Sequence, residues 1–214
     1  MKYRSMKFPV AIVFALLCTF SVLAQKAPAK GYTTAHTLSI TGDFDGDNKP
    51  DTLSQFITDS IGNPVDYIIE LDEQTEGYYP MMLSDKYGYR GAITLNGRPA
   101  DIMEGSDLFV YCLINLGNIN GTKGDEIALV PSNLDFSAMS HCSIYSYCKG
   151  RWVAVFSFKV TENTFDYDGA VAPVFTTIPG ALEKRNCKWV YMNYYEWMEA
   201  DNPKMKPLKV ADCK

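Results

Sequence analysis

The stretch Gly42-Asp43-Phe44-Asp45-Gly46-Asp47-Asn48-Lys49-Pro50-Asp51 constrains this chain more than any other, because it sets carboxylates at the first, third, fifth and ninth positions of a Gly- and Asn-containing loop. Alternate residues of a tightly curling loop turn their side chains inward, so these acids face one another at short range. Without a counter-charge they repel, and some are driven to take up protons. A hard cation removes that conflict. Ca2+ takes six to eight oxygen ligands at about 2.3–2.6 Å, and the spacing fits a cradle in which Asp43, Asp45, Asp47 and Asp51 supply side-chain oxygens and Lys49 its backbone carbonyl. The competing reading is a hairpin turn with solvated carboxylates, since Asp, Asn and Gly favour turns in any case.

Around the loop the hydrophobic period is two. Thr37-Leu38-Ser39-Ile40 alternates into it and Leu53-Ser54-Gln55-Phe56-Ile57 alternates out, which predicts two strands joined by the acidic loop. Further strands are expected at 67–71, 79–83, 92–95, 108–116, 126–130, 143–147, 152–160, 173–178 and 189–195. Lys149-Gly150 and Lys184-Arg185-Asn186-Cys187 read as hairpin turns between such segments. Helical spacing is confined to one short turn at 132–139. The expected fold is mainly β, with antiparallel sheets arranged as a β-sandwich or as two propeller-blade-like sheets. A closed propeller needs at least four blades of about four strands, more than this chain supplies.

The first 24 residues carry Lys2, Arg4 and Lys7, an apolar run from Val10 to Phe20, and small residues at Val22 and Ala24 before Gln25, the pattern of a secretory signal. The apolar run is short for a bilayer span, so the expectation is export to the periplasm or the exterior without a transmembrane span in the mature chain. Leu17 precedes Cys18 where a lipid-attachment cysteine normally follows a small residue. Residues 25–34 read as a linker, 35–198 as the β domain and 199–214 as a tail. Setting aside the leader leaves 17 basic against 25 acidic side chains, a formal net charge of −8. Nucleic acid is therefore not an expected partner, since binding a polyanion needs clustered Lys and Arg. The mature cysteines are Cys112, Cys142, Cys148, Cys187 and Cys213, an odd number, so one is free or pairs between molecules. A bridge to Cys213 would tether the tail.

A second loop, Gly117-Asn118-Ile119-Asn120-Gly121-Thr122-Lys123-Gly124-Asp125-Glu126, repeats the positions of Gly42, Asp43, Asp45 and Gly46 75 residues later, again ahead of a strand. This suggests a duplication into partial repeats of about 35–107 and 108–198. The residues resemble the loops of FG-GAP or VCBS-type repeats, which also underlie the propeller of integrin alpha chains. Those loops read Gly-Asp-x-Asn/Asp-Gly-Asp-Gly-x-x-Asp before an apolar strand, and 42–53 departs only in placing Asn48 where Gly is usual. The resemblance implies Asp43, Asp45, Asp47 and Asp51 as side-chain ligands and Lys49 as a carbonyl ligand. In the second loop the corresponding set is Asn118, Asn120, Thr122 and Glu126, or Asp125 by another register. Thr122 replaces a carboxylate there, so this copy is the weaker metal site. The Phe-Gly and Gly-Ala-Pro signatures that name the repeat are absent, and the resemblance spans some 25 residues.

Catalytic patterns are few. Two histidines, His36 and His141, give no paired-histidine zinc motif, and no Gly-x-Ser-x-Gly elbow or phosphate-binding loop occurs. His141 beside Cys142 lies in a predicted strand, where neighbours point to opposite faces. The sequence reading is thus an exported, non-catalytic, calcium-binding module acting as a binding or accessory domain at the cell envelope, with a glycan or protein as ligand. The alternative is a carbohydrate-active protein, a glycan binder or glycoside hydrolase, using an aromatic sheet face drawn from Trp152, Trp189, Trp197, Tyr191, Tyr194 and Tyr195. Core packing competes for the same aromatics.

Overall fold

The computed structural model describes residues 30–70, 79–102, 110–131, 138–165 and 174–212. Among these the chain is mainly β, with four antiparallel sheets and none closed into a barrel or propeller. The acidic loop joins β2 (Leu38–Gly42) to β3 (Asp51–Thr58), which continue through β5 (Arg90–Leu95) to β6 (Arg98–Pro99) in the order β2-β3-β5-β6. The short strands β1 (Tyr32–Thr34) and β4 (Tyr67–Ile69) pair separately. A meander of β7 (Val110–Gly117), β8 (Glu126–Pro131), β9 (Met139–Cys148) and β10 (Arg151–Thr161) forms the second four-stranded sheet. After a 3-10 turn at Glu162–Phe165 come β11 (Leu182–Arg185), β12 (Lys188–Tyr191) and β13 (Lys206–Pro207), in that order in the last sheet.

The β7–β10 sheet is covered on both faces. One face packs Leu113, Ile127 and Leu129 against Leu38, Leu53 and Ile93 of the first sheet. Cys112, Ile114, Ala128, Val130, Cys142 and Ile144 meet Leu182 and Trp189 of the last sheet on the other. This two-sided burial explains why β8 reads as the unbroken run Glu-Ile-Ala-Leu-Val, with all five residues buried, where a strand with one wet face would alternate. The sheets thus stack as a layered sandwich with β7–β10 in the middle.

Among the described residues three hairpins turn on two residues at positive φ, the geometry that matches strand twist. They are Asn96-Gly97 at 51° and 76°, Lys149-Gly150 at 51° and 84°, and Asn186-Cys187 at 49° and 60°. The second is a turn expected from sequence; the third is the latter half of the expected turn at 184–187, whose first two residues belong to β11 and pair with Trp189 and Lys188.

The structure corrects three strand expectations. Residues 79–87 form helix α1 (Tyr79–Tyr87), not a strand; Leu83 and Tyr87, one helical turn apart, pack with Ile57 and Ile68. The expected strand at 189–195 stops at Tyr191 and gives way to helix α2 (Tyr194–Glu199), because Asn193 caps it, its Oδ1 accepting from the Tyr195 N–H at 3.3 Å. Of 173–178, the described part from 174 holds only an isolated bridge from Ile178 to Leu182. Residues 132–137 of the expected helical turn, the leader and Cys213 lie outside the described residues. Met139, the last residue of that turn, opens β9. Within the stretch expected as a tail, β13 pairs with β12 and the Leu208 N–H donates to the Trp189 carbonyl at 2.9 Å. No described helix is long and apolar enough to cross a membrane.

Candidate metal centre

The β2–β3 register places Gly42 opposite Asp51, so the strand pair brings together the first and last members of the acidic loop. Between them the backbone turns through the left-handed region at Gly46 (φ 75°) and Asn48 (φ 64°), the latter a residue that tolerates this conformation better than most non-glycines. Phe44 is 0% exposed and belongs to the cluster between the first two sheets. Burying that ring is worth roughly 1.5–3 kcal/mol and anchors the loop by its second position.

Asp51 is 4% exposed and organises the interior of the loop. Its Oδ2 accepts from the Phe44 N–H at 2.9 Å and the Asp45 N–H at 3.2 Å, and its Oδ1 from Asn96 Nδ2 at 2.6 Å. Asp43 Oδ2 accepts from the Asn48 N–H at 3.1 Å, and Asp45 Oδ1 from the Asp47 N–H at 3.0 Å. These bonds bring Asp43, Asp45 and Asp51 together, each offering a carboxylate oxygen, all within 4.8 Å of one another. Two oxygens on opposite sides of one Ca2+ lie about 4.6–5.2 Å apart, so the cluster matches one shared ion. A further observation suits a cation: Asp43 Oδ1 is buried and has no hydrogen-bond partner.

Asp47 stands outside this group. Its Oδ2 pairs with Lys49 Nζ at 2.8 Å, and that hydrogen bond draws the Asp47 carboxyl below the usual carboxylate range while raising the Lys49 ammonium. Both side chains are well exposed, so the pair is screened by water and contributes little to the fold.

The second loop is built on the same hydrogen bonds and fills them differently. Glu126 Oε2 accepts from the Ile119 N–H at 2.8 Å and the Asn120 N–H at 3.3 Å, matching Asp51 with Phe44 and Asp45. Asn120 Oδ1 accepts from the Thr122 N–H at 2.7 Å, matching Asp45 with Asp47. Glu126 is only 1% exposed, and its remaining oxygen takes the Ser146 hydroxyl at 2.7 Å. Asn118 Oδ1 accepts from the Gly121 N–H at 2.8 Å while its amide donates to the Thr122 carbonyl. Neutral donors thus satisfy the oxygens of Asn118, Asn120 and Glu126 that face this loop. Among the described residues, the one cluster of three acids able to share an ion is in the first loop.

Residues that sequence spacing does not single out complete the site. Asn96, from the β5–β6 turn, donates to Asp51 and accepts the Thr52 N–H at 2.9 Å; the Asn96-Gly97 dipeptide between alternating segments was its signal. Asn115 donates to the Thr41 carbonyl at 2.9 Å and to Asp125 Oδ2 at 3.1 Å, linking the two loops. No periodicity marks it.

The six aromatics considered for a binding face do not form one row. Trp189 is buried with its indole N–H donating to the Leu116 carbonyl at 2.8 Å, and Tyr191 packs edge-on against Phe156 with ring centroids 4.9 Å apart. Tyr194 and Trp197 stack on α2 at 5.6 Å, Tyr195 is exposed, and Trp152 contacts Phe44 and Tyr147 at the opposite end of the β9–β10 hairpin. His141 is exposed beside Lys159, whereas Cys142 is fully buried with its thiol pKa pushed well up by desolvation, so the two do not make a nucleophile and base. No family model, curated protein or solved structure matches this chain.

Proposed function

We propose that this chain is an exported, non-catalytic β module that binds a ligand at the cell envelope and uses Ca2+ to hold its first loop in shape. Asp43, Asp45 and Asp51 are the core ligands, with Asp47 and the Lys49 carbonyl completing the set. The observation that carries this reading is the buried, unpartnered Asp43 Oδ1 beside two more carboxylate oxygens at ion-sharing distance. Asp47 joins by exchanging an exposed ammonium for the ion, a change that breaks only a screened surface pair. The role is structural: the ion ties the first turn of the loop to the start of β3 and leaves the second loop, already satisfied by hydrogen bonds, unaffected.

Export rests on the basic and apolar pattern of the leader, and the binding role on the lack of catalytic motifs in a chain with aromatic and polar surface to spare. The test is thermal. A ligand that binds only the folded state adds about 2.7 kcal/mol at a hundredfold excess over its dissociation constant. Adding calcium to chelated protein should raise the melting temperature, and Asp45→Ala should remove most of that rise. Identical melts with and without calcium would overturn the metal reading.

A further inference from the structure

A polar cleft of about 570 Å3 opens beside the acidic loop, between the β5–β6 turn and the β9–β10 turn, with Asp45 at its edge. That volume is within the usual range of small-molecule sites, about 300–1,000 Å3. Its chemistry is set by two arginines. Among the four arginines of the described residues, Arg90 donates to the Ser84 and Tyr89 carbonyls, and Arg185 pairs with Glu183 at 2.8 Å. The other two, Arg98 and Arg151, have no carboxylate partner among the described residues, and both line this cleft. A guanidinium presents a planar fork of N–H donors matched to a carboxylate. Two such forks without a protein acid await one from outside.

The rest of the lining narrows the ligand. Trp152 and Tyr147 meet edge to face at 5.3 Å and form an aromatic wall. Asp101 is exposed on the rim, an acceptor for hydroxyl groups. A bare inorganic anion would use the arginines and leave the aromatic wall and Asp101 idle. A nucleic acid carries a phosphate at every nucleotide and needs a run of basic side chains along its length, whereas the cleft supplies two, Arg98 and Arg151. A sugar acid uses every part: carboxylate to arginine, hydroxyl to Asp101, the apolar face of the ring to the aromatic wall.

We infer that this cleft binds a carboxylate-bearing saccharide, an oligomer of uronic acid in chemical class. The inference rests on the reading of the chain as a binding module, but neither arginine pairs with a carboxylate of the acid cluster, and neither needs a metal. Calorimetric titration of the full chain with trigalacturonate, in chelator and again in calcium, tests it. Saturable binding is expected in both buffers. Arg98→Gln and Arg151→Gln should each weaken it about tenfold, the loss of a charge-assisted hydrogen bond, with the melting temperature unchanged because both side chains are exposed. Absence of saturable binding at millimolar ligand, equal affinity for maltotriose or acetate, or full affinity in the double variant would overturn it. Binding in calcium alone that ignores the arginine substitutions would also overturn it, as a metal-bridged contact. A melt indifferent to calcium with intact trigalacturonate binding sinks the calcium reading and leaves this one standing.

Discussion

Asp43 and Asp125, 82 residues apart, are joined in both directions: the Asp43 N–H donates to Asp125 Oδ2 at 3.2 Å, and the Asp125 N–H donates to the Asp43 carbonyl at 2.8 Å. The head of the acidic loop is thereby fixed to the end of the second loop, and through it to β8 in the central sheet. Asp125→Ala leaves the Asp43 N–H and one Asn115 amide hydrogen without that acceptor. The expected loss is about 1–3 kcal/mol, read as a lower urea midpoint at unchanged slope. An unmoved midpoint would show that the loops do not depend on this link.

Where the loops touch, glycine is required for space as well as for backbone conformation. At Gly124, with φ of 92°, an added Cβ would lie 2.5 Å from the Phe44 carbonyl oxygen, a backbone atom that cannot step aside. At Gly121, with φ of 74°, the same atom would meet nothing within 4 Å. Gly121→Ala should therefore cost only the left-handed penalty, about 1–2 kcal/mol, and Gly124→Ala clearly more. Equal urea midpoints for the two variants would contradict the close packing of the loops.

The sequence made the layered β fold and the acidic loop legible because both are written in short periods: alternation for strands, every second residue for the acids. It did not reveal which side of a strand would be covered twice. Ile127, Ala128, Leu129 and Val130 show the double burial only as the lack of alternation. Asn193 capped a helix in a run whose Trp and Tyr content favours strand, so a local hydrogen bond overrode propensity there. Asn96 and Asn115 reach the site from 45 and 74 residues away from their partners, a distance that no local pattern spans.

The central sheet also decides thiol chemistry. Cys112 on β7 and Cys142 on β9 are both free, and β8 runs between their strands. Two strand spacings separate their backbones by roughly 9–10 Å, too far for a disulfide. Desolvation raises both thiol pKa values, while Cys187 is exposed at a hairpin turn. Native protein treated with an excess of a thiol reagent should carry the label on Cys187 and not on Cys112 or Cys142, with those two reacting only in denaturant. Peptide mapping by mass spectrometry checks this, and prompt native labelling of Cys142 would contradict the packing.

Two histidines predict a loss of stability toward mild acid. Burial lowers the pKa of His36 below its ordinary 6.5, and burial together with the nearby Lys159 lowers that of His141. The unfolded chain therefore takes up protons first as pH falls through 6.5, and stability declines until the folded-state values are passed. Above 6.5 both are neutral in either state and the effect vanishes. Urea midpoints at pH 7.5 and 5.5 should differ, and replacing both histidines by Gln should shrink that difference. An undiminished difference would assign the acid sensitivity to other groups.

Asp45 and Asp51 should separate metal binding from loop architecture. Asp45 is exposed, and an amide in its place still offers the Asp47 N–H an oxygen, so Asp45→Asn should melt like the parent protein in chelator. In calcium it should lose most of the rise, since affinity follows the charge of the ligands. Asp51 is buried with both oxygens accepting, from Phe44 and Asp45 on one side and Asn96 on the other. Asp51→Asn turns one of those acceptors into a donor facing a donor, which costs about 1–3 kcal/mol whatever the metal. Its melt should fall in chelator as well as in calcium. If both variants behaved alike in chelator, the division between an exposed ligand and a buried organiser would be wrong.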